Sequence, residues 1–230
     1  MRFYMHISEY KNKMMMKRFL LIISIMLPLA AMAQNNWEIP TETTAKAKEQ
    51  TPVKKSKKKK DDSKYLKGAV PEVDGRVQWE LNVDAPGKSA EEIYNLVYGY
   101  FKDLTSSENQ LTGSQIALVD KAEHSMIVTV KEWIEFKQTI ISHDRAATSY
   151  VVSVECKDGH MKAILNRIIF DYSENVKNHP GIYKAEEWIT DKEALNKKGT
   201  RLFPGSARFR RKMCDRKDEV FAGLTNCLKN

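Results

Sequence analysis

Along three stretches between Met126 and Leu165, apolar and polar side chains alternate with a period of two. That period is what a half-buried strand requires, because successive side chains of a strand point to opposite faces. In the first stretch Met126, Val128, Val130, Ile134 and Phe136 share one face, and Thr129, Lys131, Trp133 and Glu135 share the other. A polar loop is expected around Ser142 to Arg145, and Tyr150, Val152, Val154 and Cys156 then mark a second strand. Asp158-Gly159 is the strongest short-range hairpin signal, and Met161, Ala163 and Leu165 begin the returning strand. Its alternation blurs at Asn166-Arg167 before Ile168 and Phe170, which predicts a bulge or register change. Strands joined by such short connections pair antiparallel.

The flanks complete the architecture. Val77, Trp79, Leu81 and Val83 alternate with Arg76, Gln78, Glu80 and Asn82, a further strand. Ser89 with Glu92 forms a capping box, and Ile93, Leu96, Val97, Tyr100, Phe101 and Leu104 follow at helical spacing. Gln115 to Asp120 reads as a short strand before Met126. Residues 173–204 interrupt the regularity. Within them Thr190 and Glu193 form a second capping box and Lys197-Lys198-Gly199 a stop, so a short helix is predicted over 191–196. From Ser206 a closing helix turns Met213, Val220, Phe221, Leu224 and Leu228 inward. The expected fold class is α+β: an antiparallel sheet in β-α-β4-α order with helices packed on one face.

Before this unit the sequence has a different character. Lys17-Arg18, the apolar run Phe19 to Ala30 and Ala31-Met32-Ala33 are the three parts of a secretory signal, with cleavage expected after Ala33. The apolar run falls short of the ~20 residues a membrane span needs, so no transmembrane span is expected in the mature chain. Residues 1–15 carry none of this logic and are read as a mis-assigned start. Residues 34–67 are poor in apolar groups and contain the run Lys57 to Lys60. They are expected to be a disordered linker, because they bury too little to offset ordering entropy and their like charges repel. The net charge of +8 belongs to these ends: residues 1–33 hold five basic and one acidic residue, residues 34–67 ten and five, and residues 68–230 only 23 and 24. An exported chain with a near-neutral folded part is not expected to bind nucleic acid. The lysine run is read as a tether, with a possible weak contact to anionic envelope surfaces.

Signatures of chemistry are missing from the sequence. It has no Walker-type loop, GxGxxG, CxxC, HExxH or GxSxG, so no cofactor is expected and no catalytic residue is assigned. His6, His124, His143, His160 and His179 are scattered, which predicts no metal site. Asp171 with Glu174, and Glu186 with Glu187, are the available carboxylate pairs and read as surface acids. Cys214 and Cys227 lie thirteen positions apart on the last helix, about 20 Å at about 1.5 Å per residue, too far to bridge. At most Cys156 pairs with one of them; buried free thiols are expected.

The string "GRVQWELNVDAPGKSAEEIYNLVYGYF" through the Asp158-Gly159 hairpin, and later "EEWITDKEALNKKGTRLFPGSARFRRKMCDRKDEVF", resemble the exported bacterial domain-of-unknown-function family 4468. The resemblance covers about residues 75–228. It implies a TATA-binding-protein-like (TBP-like) fold in the β-α-β4-α order and export, and it implies no activity.

Two constellations remain. On the sheet face away from the helices, Lys131, Trp133, Val151 and Ile164 form a candidate patch for a ligand or partner, unless residues 173–204 fold across it and bury Trp133. Glu80, Glu135 and Glu155 are expected on that face beside Lys131 and Lys162. At the start of the last helix, Ser206, Arg208, Arg210 and Arg211 form a candidate anion site, unless nearby acids take the arginines. The expected function is a non-enzymatic exported binding or interaction module of the cell envelope, with an envelope protein, peptide or small ligand as partner. The alternative is an envelope enzyme with its site between residues 173–204 and the last helix.

Overall fold

A computed structural model describes residues 61–139, 142–174 and 181–229. The secretory signal, the cleavage site after Ala33 and the run Lys57 to Lys60 lie outside these residues, as do residues 175–180. After a single 3-10 turn at Ser63–Tyr65, the chain forms β1 (Glu72–Val73), β2 (Arg76–Val77), β3 (Trp79–Asp84) and α1 (Ala90–Thr105). There follow β4 (Gln115–Asp120), β5 (Ser125–Thr139), β6 (Ser142–Lys157), β7 (His160–Asp171) and β8 (Ile182–Lys184). The helices α2 (Ala185–Trp188), α3 (Asp191–Ala194) and α4 (Pro204–Cys227) complete it. The main sheet is antiparallel with strand order β3-β7-β6-β5-β4, and β8 continues the β3 edge by pairing with the end of β7.

One face of this sheet is the core. Met126, Val128, Val130 and Ile134 of β5, Tyr150, Val152, Val154 and Cys156 of β6, and Met161, Ala163 and Leu165 of β7 are buried there. α1 and α4 cover them. The expected capping box opens α1: Ser89 Oγ accepts from Glu92 N–H at 3.3 Å, and Ser89 N–H donates to the Glu92 carboxylate at 2.7 Å. That second bond helps hold the Glu92 carboxyl below its usual range. The β6–β7 hairpin supports the same helix end, because Asp158 Oδ1 accepts from Ala90 N–H at 2.8 Å. Gly159 turns that hairpin at φ +72°, a conformation that costs glycine little. Where α1 meets α4, Gly223 lets the Tyr100 ring lie against the helix backbone. A Cβ there would come within 2.5 Å of Tyr100 Cε2. Phe209 of α4 anchors the other end of the core, with ring centroids 4.5 Å from Phe136, 5.3 Å from Phe170 and 5.4 Å from Tyr172.

Several elements differ from those the sequence predicts. The first strand breaks at Gln78, leaving β2 to pair with β1 and β3 to pair with β7. The residues expected as a loop, Ser142 to Arg145, extend β6; a bulge at Phe136 takes up the register between Glu135↔Arg145 and Lys137↔Asp144. Their polarity misled because Asp144 serves as an acceptor there, taking the hydroxyl of Tyr172 at 2.6 Å and Arg208 at 2.7 Å. The bulge predicted at Asn166-Arg167 is present, with Arg167 at φ +54°. Residues 181–204 do not fold across the open face. β8 extends the sheet edge, and Trp188, stacked on Tyr183 at 4.3 Å, packs against Phe209 on the helix side.

The folded unit also begins earlier than residue 68, where the linker was expected to end. Arg210 is completely buried, and its guanidinium donates to the carbonyls of Tyr65 (2.6 Å), Leu66 (2.7 Å) and Ile189 (2.6 Å) and to Asp191 (2.6 Å). Asp62 accepts two bonds from Arg211, each 2.7 Å, and the Tyr65 hydroxyl donates to Asp215. A chain that starts at Gly68 therefore leaves a buried cation with two donors unpaired. Compared with one starting at Asp61, it should lose about 2–6 kcal/mol in denaturant titration, at about 1–3 kcal/mol per orphaned group. Equal midpoints would show that residues 61–67 are not part of the fold.

Candidate functional site: the open sheet face and the cleft at its end

The four residues expected on the open face are all there. Lys131 stands opposite Ser149, Trp133 opposite Ala147, Val151 between Thr129 and Asn166, and Ile164 between Ser153 and Glu80. All four are half-buried. Ile127 and Ile169, each 38% exposed, and Leu118, 54% exposed, widen the apolar area around Val151 and Ile164. The charges there are largely self-compensating: Lys162 pairs with Glu80 at 3.2 Å and sits opposite Glu155. Trp133 lies at one end, about 13 Å along the strand from the Thr129–Val151 row at about 3.3 Å per residue. The Arg145 guanidinium lies 3.7 Å from the centroid of its indole ring. No helix crosses this face among the described residues.

At the start of α4 the alternative stated for the basic cluster holds, and acids take the arginines. Arg208, Arg210 and Arg211 do not converge on a shared anion cradle, because each is held by a different carboxylate: Asp144, Asp191 and Asp62. Asp62 holds the Arg211 guanidinium above its usual range. Arg208 also lies over the rings of Tyr172 (4.9 Å) and Phe136 (5.1 Å). Ser206 is buried one turn before Arg210. Beside them is a shallow hollow of about 320 Å³, lined by aromatic residues, Arg208 and the Pro204-Gly205 turn, with no carboxylate or histidine. An enzyme site between residues 173–204 and the last helix would need such groups to converge.

The residue that sequence reasoning missed is Glu132. It occupies a core position in the alternation Met126, Val128, Val130, Ile134 and is 1% exposed. Arg216 of α4 grips it with two bonds, Nε to Oε1 at 2.7 Å and a terminal nitrogen to Oε2 at 2.9 Å. The Tyr150 hydroxyl (2.8 Å) and the Gln110 amide (2.8 Å) complete its shell. Burial first, then the neighbouring carboxylate, pushes the Tyr150 hydroxyl well above the usual tyrosine range. With four donors on its two oxygens, the carboxylate is an anchor rather than a free base. The signal was available: an acid in the middle of an apolar period-two face requires a buried cation.

A cleft of about 610 Å³ opens where β4 has ended and β5 runs on beside α4. Its walls include Trp133, Glu132, Arg216, Lys64, Asp215 and Glu219. Most of these charges bind each other: Lys64 to Asp215 at 2.6 Å and Asp218 at 3.1 Å, and Arg216 to Glu219 at 2.8 Å. The thiols offer no nucleophile. All three cysteines are free, and burial pushes Cys156 up to about 12 and Cys214 up to about 11. No three His, Cys, Asp or Glu side chains among the described residues are placed to hold a metal ion. No described helix is long and apolar enough to cross a membrane.

An antiparallel sheet in β-α-β4-α order, covered by helices on one face and open on the other, defines a TBP-like α+β domain. The description "domain of unknown function (DUF4468) with TBP-like fold" matches residues 79–171. A DUF4468 family protein of Bacteroides ovatus, known from a crystal structure, is 39% identical over 75% of this chain and 97% of its own, with a TM-score of 0.69. A TBP-like protein of Parabacteroides distasonis shares the fold at 20% identity, over 70% of this chain and 98% of its own, with a TM-score of 0.55. No curated protein matches the chain. The chain belongs to the DUF4468 family.

Arg216→Met leaves the Glu132 carboxylate buried without its counter-ion and should cost about 3–5 kcal/mol of stability in denaturant titration. The Glu132→Met/Arg216→Met double variant should lose clearly less than the sum of the two single variants. Additive losses would show that the two side chains do not interact.

Proposed function

We propose that this protein is an exported, non-catalytic binding module of the bacterial cell envelope that docks a partner protein on its open sheet face. The observation that carries the reading is that face. The described part of this stretch, residues 181–204, turns to the other side, and Ile127, Val151, Ile164, Ile169 and Trp133 are left uncovered among the described residues. Five strands at about 4.8 Å spacing and about ten residues at about 3.3 Å give about 800 Å², the area one protein contributes to a standard interface. The face is an open sheet surface, and its charges are mostly neutralised by each other. Such a surface suits another folded protein better than a small molecule, which needs a concave site. Arg145 on Trp133 is a rigid cation–aromatic pair of the kind that forms interface hot spots.

Export rests on the secretory signal read in residues 17–33. In the cleaved chain the lysine-rich stretch is the N-terminal segment ahead of the folded unit, which we read as a tether and not as a nucleic-acid arm. The native protein should begin at Gln34 and fractionate with the envelope or the medium.

A photoreactive residue at Val151 should give one discrete adduct in intact cells, and an identical probe at exposed Glu91 on α1 should give none. Ile127→Lys or Ile164→Lys should abolish that adduct without lowering the melting temperature. A peptide-sized or small-molecule adduct would replace the partner protein with a different ligand. No adduct at Val151, or equal adducts at both positions, would overturn the reading.

A further inference from the structure

Of the eight large apolar side chains that are strongly exposed among the described residues, four gather around one sheet edge: Tyr98, Leu118, Val119 and Ile127. Leu118 and Val119 belong to β4, which pairs only with β5 among the described residues. They are 54% and 44% exposed, and they point to opposite faces of the sheet, Leu118 opposite Ile127 and Val119 opposite Met126. Tyr98 rises beside them from α1; it stacks on Tyr94 at 6.2 Å, and Tyr94 packs on His124 of the β4–β5 turn at 6.1 Å.

Natural edge strands are usually guarded by lysine, proline or inward charge. At the far edge, β3 alternates Glu80, Asn82 and Asp84 along its open face, and those residues are exposed. In β4 the four central residues, Ile116 to Val119, carry no charge and no proline. Its one irregularity is a bulge at Ala117, between the Ile116 and Leu118 pairings.

That bulge makes the strand complementary to itself. In a regular strand, a two-fold axis passing between two residues would set each residue against one of the opposite face, because the side-chain period is two. The extra residue shifts the alternation by one. Gln115, Leu118 and Asp120 then lie on the open face, and Ile116 and Val119 on the helix side. Antiparallel pairing about an axis between Ala117 and Leu118 sets Gln115 against Asp120 of a second copy, and Ile116 against Val119 of that copy. Both pairs fall on matching faces. The only charge in the strand, Asp120, meets an amide donor and not another Asp120.

We propose that β4 is a dimerisation edge, where two copies of this chain join antiparallel about a two-fold axis to make one continuous sheet. The occupant is a second copy because β4 itself supplies both partners of each matched pair, Gln115 with Asp120 and Ile116 with Val119. The inference does not rest on the binding reading: Leu118 and Ile127 border both surfaces, but the matched pairs are made by β4 alone and the cleft takes no part in them. If both hold, the two open faces become one surface.

The test uses the mature chain in sedimentation velocity and in hydrogen exchange over a range of concentrations. The expected result is reversible dimerisation, with amides of residues 116–119 exchanging more slowly as the dimer forms. Leu118→Lys, at a residue that carries no core contact, should weaken association by about tenfold or more at unchanged melting temperature, as a cation in an apolar strand pair does. Wild-type protein that stays monomeric at every concentration would overturn the proposal. So would a dimer whose β4 amides exchange independently of concentration, a dimer that Leu118→Lys leaves intact, or open-ended assembly. Slow β4 exchange in a monomer that appears only when cell extract is added would mean a foreign strand occupies the edge, and would also overturn it.

Discussion

A buried carboxylate and the half-buried arginine that grips it determine what the rest of the molecule can present. Glu132 lies at a core position of β5, and Arg216 reaches it from α4 with two hydrogen bonds while Tyr150 and Gln110 fill its remaining acceptor sites. A carboxylate with this little exposure is tolerable only when it is paired and fully hydrogen-bonded. The pair therefore fixes the position of α4 along β5 more narrowly than apolar contact alone would, since apolar packing has no preferred direction. One turn and a half earlier on the same helix, Arg210 binds three carbonyls and Asp191, and so gathers residues 61–67 and the short helices against α4. Both anchors lie on the helix side. Nothing comparable draws a described segment across the opposite face.

That asymmetry underlies the functional reading. The acidic and basic residues that first suggest chemistry are taken up in holding the fold together. The arginines at the start of α4 each have a carboxylate, Glu186 accepts from Val77 N–H at 2.8 Å, and Asp171 is held below its usual range by bonds from Ser173. The thiols are suppressed by burial. What remains unused is surface: an open half-apolar sheet face with a tryptophan–arginine pair at one end, and an unguarded strand at one edge. A molecule built this way recognises more readily than it reacts.

The sequence disclosed the parts whose local chemistry and long-range packing agree. The Ser89–Glu92 box, the Asp158-Gly159 turn, the period-two strands and the bulge at Arg167 were legible because each is dictated by neighbours a few positions away. Lys131, Trp133, Val151 and Ile164 could be assigned to one face for the same reason, since alternation alone sets the side. The helix that Thr190 opens at Asp191 was legible, but the packing of the rest of residues 181–204 was not. That packing depends on Trp188, Tyr183 and Phe209 meeting across the chain, and no local pattern encodes that meeting. Arg210 was misread in the same way: beside Arg208 and Arg211 it resembles a surface cluster, and only the carbonyls of Tyr65, Leu66 and Ile189 make it a buried hub. Residues 61–67 were read as linker because composition counts charges and cannot see that Asp62 has a fixed partner.

The most direct test of this account is side-chain footprinting of the protein inside intact cells, compared with the purified protein. The account predicts protection of Trp133, Ile127 and Ile169 on the open face, with α1 and α4 surface residues such as Tyr98 and Phe221 changing no more than dimerisation at β4 requires. Protection confined to the cleft lined by Lys64, Asp215 and Glu219, or no protection anywhere, would contradict it.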